Sequence, residues 1–350
     1  MNRTIKSCCS RWLRRAAALA CGLLAAMTAG CGAAEAEPRV LRVGVALYTQ
    51  DDTFISTIAQ ELERMAREEE QARGLRINLS VVDGRSNQTT QLEQIDSLIG
   101  RGCDALCVNI VDRTAAAVLI DKAQKAEVPV IFFNRQPVAE DMLRWEHAYY
   151  VGAKAEEGGI LQGRLVLEAW QTDPTLDRNG DGVLQYVMLE GEPGHQDAML
   201  RTEYAVKTLT DAGVAVEKLA SDTANWKRGQ AMAKAQQWLD EGLGGSVEVV
   251  FSNNDDMALG AIDAFKQAGE ELPLVVGVDA TAPALEAVAA GELYGTVRND
   301  GAGIARSMLD LVLALAEEQD PAEAVELEDG HYVWLPYRAV TARDLEEPAA

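Results

Sequence analysis

A polar segment directly after an apolar run carries the residue types needed to grip a polyhydroxylated molecule. The run Tyr186–Leu189 is followed by Gly-Glu-Pro-Gly and then by His195, Asp197 and Arg201 on the predicted first two turns of a helix. In parallel α/β sheets, ligands bind where strands end and helices begin. A carboxylate accepts hydrogen bonds, a guanidinium donates them in a planar fork, and an imidazole does either. The segment therefore predicts a sugar site.

The first thirty residues have the pattern of an export signal. Basic residues without any acidic ones precede the apolar stretch Ala16–Ala26, which is too short to span a bilayer. The segment ends in Thr-Ala-Gly before Cys31, which is similar to a lipoprotein signal-peptidase site. We expect residues 1–30 to be a lipoprotein signal peptide, Cys31 to carry the lipid and residues 31–38 to form a tether. The alternative is an ordinary secretory signal cut near Ala34.

The charge balance excludes one class of partner. The chain has 32 Lys and Arg against 55 Asp and Glu, a formal net charge of −23, and the predicted signal contributes only positive charge. Phosphate contacts require basic surface, so we expect no nucleic-acid binding.

Two cysteines remain after the predicted signal and the lipid-bearing Cys31, at positions 103 and 107. In an extended segment their Cα atoms would lie roughly 13 Å apart, which is beyond disulfide reach. We expect Cys103 and Cys107 to be small buried hydrophobes, with a redox pair as the alternative.

Apolar runs alternate with helical patterns along the whole mature chain, which predicts an α/β protein with doubly wound, Rossmann-like parallel sheets. About 310 mature residues exceed what one core holds, and the pattern begins again near residue 148, so we expect two domains. The predicted strands are 40–47, 75–82, 105–110, 129–133, 148–151, 185–190, 214–219, 247–251, 274–278 and 295–297.

Enzyme motifs are missing from the sequence. It has no Gly-x-Gly-x-x-Gly after a strand, no Walker motif and no Gly-x-Ser-x-Gly, and its three histidines are too few for most histidine-based metal sites. A calcium-dependent glycosidase using Asp52, Asp197 and Asp279 is an alternative, but hydrolysis needs one carboxyl group that stays protonated. We expect a binding protein rather than an enzyme.

Several separated motifs, in their order and spacing, resemble the galactose/glucose-binding family of type I periplasmic proteins, which serve sugar ABC transporters. The resemblance covers nearly all of residues 41–345. The motifs are Val43-Gly44-Val45 with Tyr48 and Asp51-Asp52-Thr53-Phe54, Asn109-Ile110-Val111-Asp112, Val130 to Asn134, Ala148 to Gly152, Gly191 to His195, Asn253-Asn254-Asp255, Gly277 to Ala280, and Gly295-Thr296-Val297 with Asn299-Asp300.

The resemblance implies two lobes joined by a three-segment hinge, with the sugar enclosed between them. It places crossings near Asn134, Asn299 and residues 330–335. The N-terminal lobe would comprise residues 39–133 and 300–330, and the C-terminal lobe residues 134–299 and 331–350. The sugar-binding positions that the resemblance implies are Asp52, Phe54, Asn109, His195, Asp197, Arg201, Trp226, Asn254, Asp279 and Asn299.

Three of these positions have a second interpretation. Trp226 could be a staple within its own domain, although the resemblance pairs it with Phe54 as apolar partners for the two faces of a pyranose. Asp52 could be a helix N-cap, and it could bind sugar as well through a different oxygen. His195 could be a structural hydrogen-bonding residue of the helix start.

The segment Asp177–Gln185 matches the first nine positions of an EF-hand-like calcium loop. Oxygen ligands fall at Asp177, Asn179, Asp181 and Gln185, and the carbonyl of Val183 is a further ligand. Position 12 is Met188 rather than Glu, and the resemblance supplies Glu248 instead. We expect a structural calcium ion, with an ordinary polar surface turn as the alternative.

The function implied by the resemblance is capture of D-galactose or D-glucose and delivery to an ABC permease in the membrane. The protein would be exported, lipid-anchored on the extracytoplasmic side and monomeric, and whether a chemoreceptor also docks is left open. Ribose or a xylose-like pentose is the alternative ligand.

Overall fold

The computed structural model describes residues 40–346, so the predicted signal peptide, the tether and Cys31 lie outside the described residues. The strands are β1 Val40–Leu47, β2 Arg76–Asp83, β3 Ala105–Val108, β4 Val130–Phe133, β5 Ala148–Gly152, β6 Val183–Glu190, β7 Ala215–Thr223, β8 Val249–Ser252, β9 Leu274–Asp279, β10 Gly295–Arg298, β11 Tyr332–Trp334 and β12 Arg338–Thr341. The helices are α1 Thr53–Arg73, α2 Gln88–Gly100, α3 Ala116–Ala126, α4 Ala139–Met142, α5 Ala155–Thr172, α6 Gln196–Asp211, α7 Arg228–Asp240, α8 Asp255–Ala268, α9 Ala282–Ala289, α10 Gly301–Ala316, α11 Pro321–Ala324 and α12 Ala342–Glu346, with a 3-10 turn at Arg113–Ala115 before α3.

The strands form two six-stranded sheets of the same design. Their orders are β11-β5-β4-β3-β1-β2 and β12-β10-β9-β8-β6-β7. All neighbours are parallel except β10 and β12, which pair antiparallel at the edge of the second sheet. This is the doubly wound order in which the chain reverses direction beside the first strand. The predicted fold class is confirmed.

Helix α1 illustrates how the sequence builds these layers. The Asp52 side chain caps its first turn, and Gly74 ends it in the left-handed conformation. Its buried residues follow the helical period and face the first sheet: Phe54, Ile55, Ile58, Leu62, Met65 and Ala66. Helix α10, which the chain reaches only after building the second sheet, packs beside α1 in the same core.

Each sheet with its helices is one lobe, and the lobe boundaries differ from those predicted. Strand β5 pairs with β4, and β11 pairs with β5, so both belong to the first sheet. The first crossing therefore follows Gly152 and does not lie near Asn134, and the third lies between Trp334 and Arg338. Only the second crossing, at Asn299 between β10 and α10, is where it was predicted. The sequence pattern placed the restart at β5 because a fifth parallel strand has the same local pattern as the first strand of a new domain.

The two cysteines are free and buried, as predicted. Burial raises the pKa of the Cys107 thiol to about 12, so this side chain is an unreactive core residue. Among the helices of residues 40–346, none combines the length and the apolar character needed to cross a membrane.

Candidate functional site

A cavity lies between the lobes, at the carboxyl ends of strands from both sheets. Its empty space is about 330 Å³, including the part that is open to solvent. Its walls are formed by Tyr48, Asp52, Phe54, Ile55, Asn134, Arg135, His195, Asp197, Arg201, Trp226, Asn254 and Asp279. Polar and charged groups dominate this wall, which suits a small ligand with many hydrogen-bonding groups.

Arg201 organises the second-lobe wall. Its Nη2 donates to Asp197 Oδ2 at 3.1 Å and to the Tyr337 hydroxyl at 2.8 Å, and its Nη1 donates to the Asn253 carbonyl at 2.8 Å. The side chain is nearly inaccessible to solvent. Because Asp197 lies one helical turn before Arg201 on α6, the predicted first two turns of this helix do form one hydrogen-bonding unit.

Burial sets the protonation chemistry of this wall. It raises the pKa of Asp197, and it raises that of Asp279 well above the ordinary value; the Arg201 guanidinium opposes both shifts. Burial, with nearby arginines, also lowers the pKa of His195 well below its ordinary value. Neutral His195 accepts a hydrogen bond through Nδ1 from the Asp197 backbone N–H at 3.1 Å. A ligand that donates hydrogen bonds stabilises the charged carboxylates here.

Trp226 forms part of the wall and also packs into the core of the second lobe. Asn225 and Trp226 both have positive φ, 48° and 65°. A Cβ on Gly191 would lie 2.2 Å from the indole, so only glycine leaves room for the ring. His195 meets the same indole edge to face, with ring centroids 5.1 Å apart.

The first-lobe wall is built around Asp52. Its Oδ1 accepts from the Ile55 N–H at 3.0 Å as the α1 cap, and its Oδ2 accepts from the Tyr48 hydroxyl at 2.6 Å. The Arg135 guanidinium lies over the Tyr48 ring, 3.6 Å from its centroid. Asp52 is thus a helix cap and a cavity residue at once.

Direct bonds join the lobes on both sides of the cavity. On one side Arg135 pairs with Glu192 at 2.7 Å, and Gln196 Nε2 donates to Gln136 Oε1 at 2.9 Å. On the other side the Thr53 hydroxyl donates to Asp256 Oδ2 at 2.7 Å. The structure is therefore a closed conformation of the cleft.

The structure brings eight of the ten predicted sugar residues to the cavity wall. The other two lie behind it: Asn109 donates to the Phe133 carbonyl at 3.0 Å, and Asn299, at the second crossing, bonds to Asp279. Four wall residues carried no predicted role: Tyr48, Ile55, Asn134 and Arg135. Two of them could have been predicted from their position in the sequence, because Tyr48 and Asn134 directly follow β1 and β4.

Eight buried side-chain polar atoms among residues 40–346 have no protein partner, and four of them belong to predicted sugar residues. These four are Oδ1 of Asn109, Nε of Arg201, Nε1 of Trp226 and Oδ1 of Asn299. Folded proteins leave few such atoms unpaired because each costs about 1 to 3 kcal/mol. Arg201 and Trp226 belong to the cavity wall, so a ligand bound there could complete their hydrogen bonding.

The predicted calcium residues also converge, at the start of the second lobe's first strand. Asp177 accepts from the N–H groups of Gly180 and Gly182 at 2.7 and 2.9 Å, which folds the loop around its carboxylate. The Glu248 oxygens accept from the N–H groups of Arg178 and Gln185 at 2.7 and 2.9 Å. Glu248 is thus fastened to both ends of the loop although it is distant in sequence.

This loop contains oxygen atoms that could ligate a cation. Gln185 Oε1 is buried without a partner among residues 40–346, and the neighbouring Asp177 and Asp181 carboxylates raise the pKa of Glu248 in addition to its burial. Within residues 40–346 no three His, Cys, Asp or Glu side chains are arranged to hold a metal ion by themselves. A cation here would need the amide and carbonyl oxygens of the loop, as EF-hand-like sites do.

Comparison with known proteins identifies the architecture. Residues 43–320 match the family model for a periplasmic binding protein domain. The chain belongs to the periplasmic binding protein family. Members of this family are exported, non-enzymatic components of transport, so a glycosidase activity is excluded in favour of ligand binding.

The following relatives align over most of the length of this chain. It is 39% identical to the D-galactose/methyl-galactoside binding periplasmic protein MglB of Haemophilus influenzae, over 87% of this chain and 90% of that protein. It is 32% identical to a putative rhizopine-binding protein of Rhizobium meliloti, over 87% and 91% of the two chains. A xylitol-binding protein of Mycolicibacterium smegmatis is 30% identical, over 87% and 80%.

Among solved structures, an ABC transporter solute-binding protein from Bacillus halodurans with bound myo-inositol has a TM-score of 0.73 and 26% identity, covering 89% of this chain and 98% of that one. A periplasmic solute-binding protein from Actinobacillus succinogenes with bound D-allose has a TM-score of 0.72 at 21% identity, over 87% and 98% of the two chains, which shows the shared fold. This chain is therefore a substrate-binding component of the ABC-transporter type.

Proposed function

We propose that the protein captures D-galactose or D-glucose between its closing lobes and delivers it to an ABC permease. The observation that carries this proposal is that the cavity wall combines two unpartnered donors, Nε of Arg201 and Nε1 of Trp226, with carboxylate acceptors. Sugar hydroxyl groups both donate and accept, so one ligand class can complete donors and acceptors alike.

The charges and rings of the wall favour the same ligand. Carboxylates of Asp52, Asp197 and Asp279 can each accept from hydroxyl groups, and charged partners make the stronger bonds. Phe54 and Trp226 come from opposite lobes, so an aldohexose ring could be covered on both apolar faces only when the cleft is closed. Closure driven by bonds to both lobes is the hinge mechanism of such proteins.

Relatives support a hexose and define the competing ligands. The 39% identical relative is named for D-galactose and methyl-galactoside, whereas more distant ones are named for xylitol and ribose. We favour the hexose because all ten residue types implied by the galactose/glucose-binding family are present in this chain.

Calorimetric titration tests the proposal. D-galactose, D-glucose, D-ribose, D-xylose, xylitol and myo-inositol would each be titrated into the mature protein, and we expect the two hexoses to bind most tightly. Asp197→Asn should weaken hexose binding. Its matched control is Asp211→Asn on the same helix, where the carboxylate is exposed and pairs only with Lys207. Tighter binding of a pentose or polyol would overturn the hexose assignment.

We further propose that Cys31, outside the described residues, carries a lipid that tethers the protein beside its permease. Cys31→Ser should move the protein from the membrane fraction to the soluble exported fraction. Equal membrane association of both forms would contradict the tether.

The loop 177–185 is proposed to hold a structural calcium ion. Asp177, Asn179, Asp181, Gln185 and Glu248 would supply side-chain oxygens, and Val183 its carbonyl. Two observations support the fit, namely the unpartnered Gln185 Oε1 and the fastening of Glu248 to both ends of the loop. Calcium prefers such oxygen sets, and it would fix the loop against the strand that follows Glu248.

A further inference from the structure

The turn that carries Asp279 into the cavity has a strained backbone. The φ angles of Asp279 and Ala280 are 117° and 55°, in the region that residues other than glycine rarely adopt. Such strain persists only where the surroundings hold the backbone in place. A neighbouring group must therefore hold this turn.

That neighbour is Asp255, the first residue of α8, which is fully buried. Its Oδ2 accepts from the Thr281 N–H at 2.8 Å and from the Thr281 hydroxyl at 3.3 Å. Its Oδ1 accepts from the Thr296 hydroxyl at 2.6 Å. The Thr296 oxygen in turn accepts from the Ala280 N–H at 3.3 Å. One carboxylate thus holds the strained turn from both sides.

Strand β9 is shaped to admit this carboxylate. A Cβ on Gly277 would lie 2.3 Å from Asp255 Oδ1, far inside van der Waals contact. Glycine at this position lets the Asp255 side chain lie against the strand whose end carries Asp279. The clamp therefore depends on three elements, the start of α8, the end of β9 and strand β10, where Thr296 lies.

We infer that Asp255 is a positioning residue of the cleft, which fixes the direction of Asp279 by clamping the turn 279–281. Asp255 is not part of the cavity wall, so it acts through Asp279 and not by touching the ligand. The inference deepens the proposed function, because its affinity readout rests on hexose binding.

A pair of matched threonine substitutions tests the clamp. Thr296→Val removes the short bond to Asp255 and the acceptor for Ala280, whereas Thr281→Val removes only the long hydroxyl bond and keeps the backbone N–H. We expect Thr296→Val to weaken galactose or glucose binding about tenfold and Thr281→Val to change it less than about threefold. Equal effects of the two variants, or none, would overturn the inference. Circular dichroism checks that both are folded.

A double-mutant cycle separates positioning from general stabilisation. If Asp255 acts through Asp279, then Thr296→Val should cost little further affinity in an Asp279→Asn background. The same tenfold loss in both backgrounds would show that the clamp acts elsewhere. Asp255→Asn, which keeps one acceptor and can donate to Thr296, should retain more affinity than Asp255→Ala, and an equal loss in both would also count against the clamp.

Amide hydrogen exchange of the ligand-free protein provides a readout that needs no sugar. Thr296→Val should accelerate exchange at Ala280 and Thr281, and Thr281→Val should leave exchange at Ala280 close to that of the wild type. If the wild type bound neither hexose, the proposed function would fail while this result still supported the clamp. Unchanged exchange in Thr296→Val would overturn the clamp whatever ligand binds.

Discussion

The two lobes contribute equally many residues to the cavity wall, six each, but only the first-lobe wall includes a charged side chain that pairs across the cleft. The second-lobe groups are fixed largely by bonds within that lobe or to the hinge, as Arg201 is by Asp197, Asn253 and Tyr337. In the first lobe, Asp52 is likewise held by Tyr48 and Ile55, but Arg135 also forms an ion pair with Glu192 of the other lobe. That pair exists only when the cleft is closed.

This difference indicates a division of labour. Preorganised groups bind with less loss of conformational freedom, so the second lobe should supply most of the affinity. The first lobe completes the enclosure, and its contacts across the cleft should affect mainly how long the closed form persists. Four experiments test this division, beginning with the largest effect.

Asp197→Asn should have the largest effect on affinity. It removes the charge that pairs with buried Arg201 and that accepts from the ligand, so we expect a loss of about 2 to 3 kcal/mol in hexose binding. Calorimetry against the Asp211→Asn control measures it. Affinity equal to that of the control would remove Asp197 from the binding set.

Calcium removal should show whether a calcium ion in the loop 177–185 stabilises the second lobe. Calcium at a hundredfold above its dissociation constant stabilises by about 2.7 kcal/mol, so EDTA should lower the wild-type melting temperature while hexose affinity changes little. Glu248→Gln should respond weakly to EDTA, whereas Glu203→Gln, exposed on α6 of the same lobe, should respond as the wild type does. A wild type insensitive to EDTA would contradict the calcium site.

Asp52→Asn should cost less affinity than Asp197→Asn, about 1 to 2 kcal/mol, because asparagine still caps α1 and accepts one bond. Asp320→Asn, which also changes a first-lobe helix cap, is the control. A loss larger than that of Asp197→Asn would reverse the proposed ranking of the lobes.

Glu192→Gln should have the smallest effect on affinity, under about 1 kcal/mol, because Glu192 is partly exposed. The change should lie mainly in a faster dissociation rate, which stopped-flow fluorescence of Trp226 would measure. Asp96→Asn, which breaks an exposed ion pair with Lys122 inside the first lobe, is the control. A slower association rate with an unchanged dissociation rate would show that the Arg135–Glu192 pair does not stabilise the closed form.

Much of the site could be predicted from the sequence because its residues follow strands. In a parallel sheet the segments that follow the strands reach the ligand edge, which predicted His195 from the sequence itself. Asp52, Asn254 and Asp279 were implied by the family resemblance, and they too lie at or shortly after strand ends. Asn109 and Asn299 satisfy the same rule, but the structure places both behind the wall. Whether a residue lines the cavity or lies directly behind its wall depends on side-chain packing, which the spacing of residues along the sequence does not determine.

Contacts between distant segments were beyond the sequence. Arg135 is 57 residues from Glu192, and its place over Tyr48 depends on how two sheets face each other. The lobe boundaries show the same limit, because β5 is an ordinary parallel strand and only its pairing with β4 assigns it to the first sheet.

The sequence by itself determined the fold class, the family and the residue types of the cavity, since periodicity, strand ends and separated motifs are local properties of the chain. Tertiary structure decided which groups touch. It closed the cleft with Arg135 and Glu192 and made Asp255 the support of a strained turn. These are long-range contacts, and their geometry exists only once both sheets have assembled and their side chains have been desolvated together.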